Sequence, residues 1–301
     1  MWWVLEWLWD LLVGFLSGKT EVERICLDSG LPLHVTASRL EECIRKSSKL
    51  GQEVMLTAAG ETVAKPLKEL LLAPPAAAKV EDLCQALVAA LSLNTKAPHF
   101  AKVRSRLLEV VGQYHGVTLL FDQVEALRAE KYDSSNSSHE AMLMRLWAAL
   151  KPDVRLSARK TSEWGEIGFQ GEDPATDFRG MGMLGLTNLV QFAETWSPHA
   201  HAVLADTATH TNWFGLAITG ITVTADLYLD LKQRRLNKYF FQHGATLQSF
   251  AALYARCFVT FNEFWARANP PNVMSFMYIH NDFLSDMHRQ AEAGELTPLR
   301  P

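Results

Sequence analysis

From Met183 to Ala293, apolar and aromatic residues recur every three or four positions, stretch after stretch. That period dictates helices rather than strands. Helices are expected at about residues 183–194, 199–206, 214–233, 247–267 and 273–293, with Asn269-Pro-Pro separating the last two. Phe250, Tyr254, Phe258, Phe261, Phe264 and Trp265 fall at helical spacing and read as core. Alternating strand patterns are nearly absent throughout, so the expectation is an all-α fold.

The first third is more polar and less regular. A charged, helix-prone stretch covers 39–53, and Leu71-Leu-Ala-Pro-Pro-Ala-Ala-Ala breaks any helix entering it. Helices are expected at about 80–93 and 99–112, and another over 140–150 that Lys151-Pro152 stops. Ser137 and Glu140 have capping-box spacing at its start. Ala97-Pro98 offers a loose boundary, giving three segments at 1–18, 19–97 and 98–301.

Residues 1–16 carry Trp2, Trp3, Trp7 and Trp9 in an apolar run interrupted only by Glu6 and Asp10. No Lys or Arg precedes it, so a secretory leader is not expected, and the run is shorter than a bilayer span needs. Tryptophan favours the membrane interface, but the polar face is acidic and does not attract anionic lipid. Two readings stay open: a helix lying on a membrane, and a helix packed into the protein's own core or onto a partner.

A net charge of −4 leaves no electrostatic footprint for nucleic acid. Cys26, Cys43, Cys84 and Cys257 have neither metal-ligand spacing nor the density of a disulfide scaffold. A reducing, cytoplasmic location follows as the expectation, peripheral on an intracellular membrane if residues 1–16 anchor the chain. Gly14-Phe-Leu-Ser-Gly18-Lys19-Thr20 has three residues between its glycines where a phosphate loop needs four, and no strand precedes it. His139-Glu140 lacks the second histidine of a zincin, and His199, His201 and His210 read as polar surface. Ser157 and Ser162 sit in no nucleophile elbow. No metal and no cofactor of the chain's own is expected.

One segment differs in kind. Between Trp164 and Gly182, a lone Arg179 stands between an acidic, Pro-containing turn and Gly180-Met-Gly182. Trp164, Ile167 and Phe169 recur closely enough to bury one face of a helix end, and Gly168 and Gly171 let the chain leave it. Asp173-Pro174 is turn chemistry. Thr176 or Asp177 is placed to cap a helix beginning near Met181, and Gly180 and Gly182 permit close backbone approach. Gln170, Asp173 and Asp177 are expected to hold the Arg179 guanidinium. From spacing alone, Arg179 reads either as a buried staple or as a cation delivered to another molecule's negative charge.

Trp164-x-x-Ile-Gly-Phe-Gln-x-x-Asp-Pro-x-Thr-Asp-Phe-Arg-Gly-x-Gly-x-Leu-Gly-Leu-x-Asn-Leu189 resembles the signature of the ELMO domain. Tyr132-Asp-Ser, His139-Glu-x-Met-Leu-Met-x-Leu-Trp147 and Glu23-Arg-Ile-Cys26 are similar to the short ELMO-domain-containing proteins, with the core of the likeness at 123–288. The resemblance implies a single large helical ELMO-type domain over 98–301, with a more loosely matched N-terminal helical region. It also implies a GTPase-activating protein for small GTPases of the Arf/Arl family, with Arg179 supplied in trans as an arginine finger. The larger ELMO scaffold proteins lack the corresponding arginine. Trp164, Gly168, Phe169, Gln170, Asp173, Pro174, Thr176, Asp177, Gly180 and Gly182 would then shape the supporting loop. GTP and Mg²⁺ would come with the GTPase. The alternative is a non-catalytic adaptor that binds a GTPase or an exchange factor.

Overall fold

The computed structural model describes residues 18–301, apart from Ala59 and residues 210–212. The Trp-rich run at 1–16, most of the failed phosphate loop and His210 lie outside the described residues. The fold is helical, as its periodicity requires. It forms two compact units that part between Leu119 and Leu120, inside one long helix.

In the first unit, α1 (Glu21–Leu27) opens on a capping box between Thr20 and Glu23, which satisfies two backbone donors at once. Helix α2 (Leu33–Lys46) buries Ala37, Leu40 and Ile44 on one stripe. The helix expected at 39–53 stops at Lys46. Ser47, Ser48 and Gly51 favour turns over helix, and an antiparallel hairpin follows, β1 (Glu53–Ala58) with β2 (Glu61–Pro66). Helices α3 (Leu67–Leu72) and α4 (Val80–Ala90) flank the Pro74-Pro75 break. Burial pushes the thiols of Cys26 and Cys43 up to about 12, and Cys84 and Cys257 are raised by the same cause. All four cysteines are free and held as unreactive thiols.

Helix α5 (Phe100–Ala129) runs for 30 residues, through the glycine where the sequence suggested an end. Gly112 costs ~1 kcal/mol in a helix interior. The buried row of Tyr114, Val117, Leu120 and Val124 beyond it outweighs that.

In the second unit, α6 (Ser137–Leu150) is capped by the Asn136 side chain, which accepts from the Ser138 amide at 2.9 Å. The Ser137–Glu140 box is therefore not formed, and Glu140 is free for other work. Helix α7 (Gly182–Thr195) runs through the core, with Leu184, Leu186, Leu189 and Phe192 all buried. Helices α8 (Ser197–Thr209), α9 (Leu216–Lys232), α10 (Asn237–His243), α11 (Leu247–Ala268) and α12 (Phe276–Ala293) complete the unit. At Gly220 of α9 a Cβ would meet Leu189 and the Tyr254 hydroxyl at 2.6 Å, so glycine sets how closely α9 crosses its neighbours. Of the aromatics expected in the core from their spacing, Phe250, Tyr254, Phe258, Phe261 and Trp265 are buried and Phe264 is half-buried; Phe192 and Phe283 join them. His280 and His288 on α12 meet Asp226 and Asp230 on α9 at 2.7 and 3.0 Å. Among the described residues no helix is long and apolar enough to cross a membrane.

Candidate functional site

The segment singled out by its sequence folds as two short 3₁₀ helices, Ser162–Ile167 and Pro174–Arg179, joined by a glycine-containing turn. Trp164, Ile167 and Phe169 are buried, as their spacing predicts. The Trp164 ring meets Trp147 of α6 and Phe169 edge-on at 5.4 and 5.8 Å, and Phe169 meets Phe178 at 5.7 Å. The Trp164 indole N–H donates to the Arg159 carbonyl at 2.9 Å, so its one polar atom is satisfied inside the core. Gly168 ends the first 3₁₀ helix at φ +85°, and a Cβ there would lie 2.1 Å from the Leu216 amide nitrogen.

The second 3₁₀ helix carries Arg179. Its N-cap is Asp173, whose Oδ1 accepts from the Ala175 amide at 3.1 Å, with Pro174 buried in the first turn. Phe178 is buried and stacks on Tyr132 at 5.3 Å between ring centres. Arg179 follows it, exposed to solvent. The turn therefore has an anchored start, a buried apolar residue at its fifth position and a guanidinium pointing outward at its end.

Two expectations about this loop are corrected. Thr176 and Asp177 do not cap the helix beginning beside Met181. The Thr176 hydroxyl donates to the Asp173 carbonyl at 3.1 Å, Asp177 Oδ2 accepts from the Gln170 amide at 3.0 Å, and α7 starts with no side-chain cap. Nor do Gln170, Asp173 and Asp177 hold the guanidinium. Among the described residues Arg179 makes neither a hydrogen bond nor an ion pair. Asp173 is engaged instead by Arg159 at 3.1 Å and Lys160 at 3.0 Å. Burial raises the Asp177 carboxyl, and the Gln170 amide and the nearby charge of Arg179 offset this only in part.

The two glycines after Arg179 differ. Gly180 has φ −84° and open space around it. Gly182 has φ +50°, and a Cβ would lie 2.3 Å from the Glu130 carbonyl oxygen and 2.4 Å from that of Arg128. The next amide, Met183, donates to the Glu130 carbonyl at 2.9 Å. Gly182 thus lets the chain leaving Arg179 press against the end of α5.

Beside this contact lies a groove of about 490 Å³, walled by Arg128, Lys131 and Tyr132 on one side and Phe178, Arg179 and Gly182 on the other. Arg128 is neutralised by Glu125 at 2.5 Å, which holds that carboxyl down at about 2, and it lies over the Tyr228 ring at 5.3 Å. Lys131 is exposed and, among the described residues, unpaired. The groove therefore presents two cations that form no ion pair among the described residues, suited to an anionic or phosphorylated surface.

Sequence reasoning missed what braces this face. Spacing assigns Arg159 no role in it and gives Glu140 a capping position. Glu140 in fact accepts from Arg159 at 2.5 and 3.0 Å and from the Tyr132 hydroxyl at 2.5 Å. His139, the start of the incomplete zincin pattern, accepts from the Asp133 amide at 3.1 Å and meets Glu130 at 3.1 Å. Among the described residues no group of His, Cys, Asp and Glu is arranged to hold a metal ion. The likeness of Tyr132-Asp-Ser and His139-Glu140 to the stretch upstream of the signature in short ELMO-domain-containing proteins is the available signal.

Residues 122–280, which contain the whole of this site, match the model of the ELMO/CED-12 family. The chain is 33% identical to ELMO domain-containing protein B of Dictyostelium discoideum over 292 residues, 96% of each chain. It is 39% identical to ELMO domain-containing protein 2 of Mus musculus over 184 residues, 60% of this chain and 61% of that one. With ELMO domain-containing protein 1 of Bos taurus the identity is 29% over 314 residues, 97% of this chain and 90% of the other. No solved structure matches.

Proposed function

This chain belongs to the ELMO/CED-12 family, among the ELMO domain-containing proteins, and we propose that it is a GTPase-activating protein for small GTPases of the Arf/Arl family. The observation that carries the reading is the state of Arg179. It ends a turn anchored at Asp173 and Phe178, it is exposed, and among the described residues no anion holds it.

The GTPase brings GTP, Mg²⁺ and the group that orients the attacking water. Negative charge then develops on the transferring phosphoryl group, and Arg179 enters to meet it. An arginine supplied in trans contributes roughly 10³–10⁵ in rate, which is about 4–7 kcal/mol of barrier. Arginine suits the task because it is planar, always charged and donates through a fixed fork. Docking around the groove excludes water and strengthens each charge interaction. Lys131 adds positive charge on the approach face.

Single-turnover GTP hydrolysis across an Arf/Arl panel tests the reading. The wild-type chain should accelerate at least one member. Arg179→Ala should remove nearly all of that acceleration, and Arg179→Lys should restore little of it. An Arg179→Ala variant that still stimulates within about twofold, far short of a finger's contribution, overturns the proposal. Binding that depends on the nucleotide without any change in rate would identify an adaptor instead.

A further inference from the structure

We infer that Arg159 is a positioning residue for the Arg179 turn, the centre of a strap that fixes where the guanidinium is presented. Its kinetic consequence rests on the arginine-finger reading; its structural consequence does not.

Residues 151–161 have no regular secondary structure, yet they are tied to the Arg179 segment at several points. The Thr161 amide donates to the Glu172 carbonyl at 3.0 Å, and the Arg159 carbonyl accepts from the Trp164 indole at 2.9 Å. The Arg159 side chain then spans three elements. Nε and Nη2 reach the two oxygens of Glu140 on α6 at 2.5 and 3.0 Å. Nη1 donates to Asp173 at 3.1 Å, and Nη2 also lies 3.4 Å from the Tyr132 hydroxyl.

Two of the three partners touch the turn that carries Arg179. Asp173 caps its start, and Tyr132 stacks on Phe178, the residue before Arg179. One guanidinium therefore determines both ends of a six-residue turn. Burial on its own would raise Glu140 and Asp173, but both are held below the usual carboxylate range. Arg159 and Tyr132 outweigh it at Glu140, and Lys160, the Ala175 amide and Arg159 at Asp173. Without Arg159 the two carboxylates repel each other, and Lys160, exposed and on a lysine's intrinsically flexible stem, is the cation left at Asp173. Lysine at 159 cannot replace it, because one ammonium cannot reproduce a fork that meets two carboxylates.

The test compares wild type, Arg159→Ala, Arg159→Lys and Arg179→Ala by amide hydrogen exchange and by single-turnover hydrolysis with the Arf/Arl protein the wild type stimulates most. Arg159→Ala should speed exchange at residues 174–181 while α7 and α11 keep their protection. At saturating chain the stimulated rate should fall by roughly 10²-fold, the scale of a misplacement near 1 Å. The half-saturating concentration should stay near the wild-type value, and Arg159→Lys should not recover the rate. Unchanged exchange at 174–181 overturns the inference, as does loss of protection throughout the unit. A local rise in exchange with an undiminished stimulated rate overturns it too, provided Arg179→Ala is inactive. If Arg179→Ala is fully active the finger reading has failed, and the exchange pattern alone decides on the strap.

Discussion

Gly182 packs against the carbonyl oxygen of Glu130 with no room for a side chain. A Cβ would lie 2.3 Å away, and the obstructing atoms are backbone, which cannot swing aside. The left-handed φ of +50° adds strain for any other residue. Gly182→Ala should therefore cost ~3 kcal/mol or more. Gly180→Ala, two residues away in open space, should stay within about 0.5 kcal/mol. Urea denaturation of both variants checks this, and equal losses would contradict the packing account.

Arg179 contributes no hydrogen bond or ion pair to the fold among the described residues. Arg179→Ala should leave stability within about 0.5 kcal/mol of wild type. Arg159→Ala, which removes the guanidinium shared by two partly buried carboxylates, should cost about 1–2 kcal/mol. A large drop in melting temperature for Arg179→Ala would mean that the residue is a staple after all.

Asp173 and Asp177 lie in one turn but respond oppositely to loss of charge. Asp173 is held low by Lys160, the Ala175 amide and Arg159, against the pull of burial. Asp173→Asn should cost about 1–2 kcal/mol at neutral pH. Asp177 is raised by burial, so its charged form is the disfavoured one in the fold. Asp177→Asn keeps an oxygen to accept from the Gln170 amide, and should be neutral or slightly stabilising in the same melt.

The pH dependence follows with its sign. Glu140 and Asp173 have lowered folded values, so their stabilisation is complete above the ordinary carboxylate value of about 4. It is lost as pH falls through the lowered values. Asp177 works the other way: its contribution is present in acid and is lost as pH rises through its raised value. Exchange at residues 174–181 should accelerate below about pH 4 before α7 loses protection, and Glu140→Gln should bring that early phase to neutral pH.

Trp164 packs edge-on against Trp147 and Phe169 with its indole N–H satisfied. Trp164→Ala should cost about 3–5 kcal/mol. Trp164→Phe should lose less, about 1–2 kcal/mol for a missing hydrogen bond and a smaller ring. Near-ultraviolet circular dichroism and denaturation read both.

What the sequence disclosed follows from the range over which each signal acts. The helices at α4, α9 and α11 repeat one buried face over several turns, so their periodicity is plain, and α7, buried nearly all round, shows as a continuous apolar run. The hairpin has no such face: Met55 is 74% exposed, and the Thr57 and Thr62 hydroxyls pair in solvent at 3.0 Å. The 3₁₀ helices are too short to show a period, although Trp164, Ile167 and Phe169 still marked the buried side. Gly168 and Gly182 were legible as glycines with a purpose, and Gly180 was given one that it lacks. Arg159 was invisible because its partners lie 14 and 19 residues away, beyond any spacing rule.

The occupied state of Asp173 has a last consequence. If Arg179 serves a foreign phosphate, an internal anion pairing with it would first have to let it go, and that release would be a step on which control could act. Here Arg159, Lys160 and the Ala175 amide already fill Asp173, and Asp177, which feels the charge of Arg179, accepts from the Gln170 amide and forms no ion pair with it. Among the described residues Arg179 therefore carries no ion-pair latch. Restraint on such a residue has to come from covering the groove or slackening the strap, since there is no ion pair left to unlock.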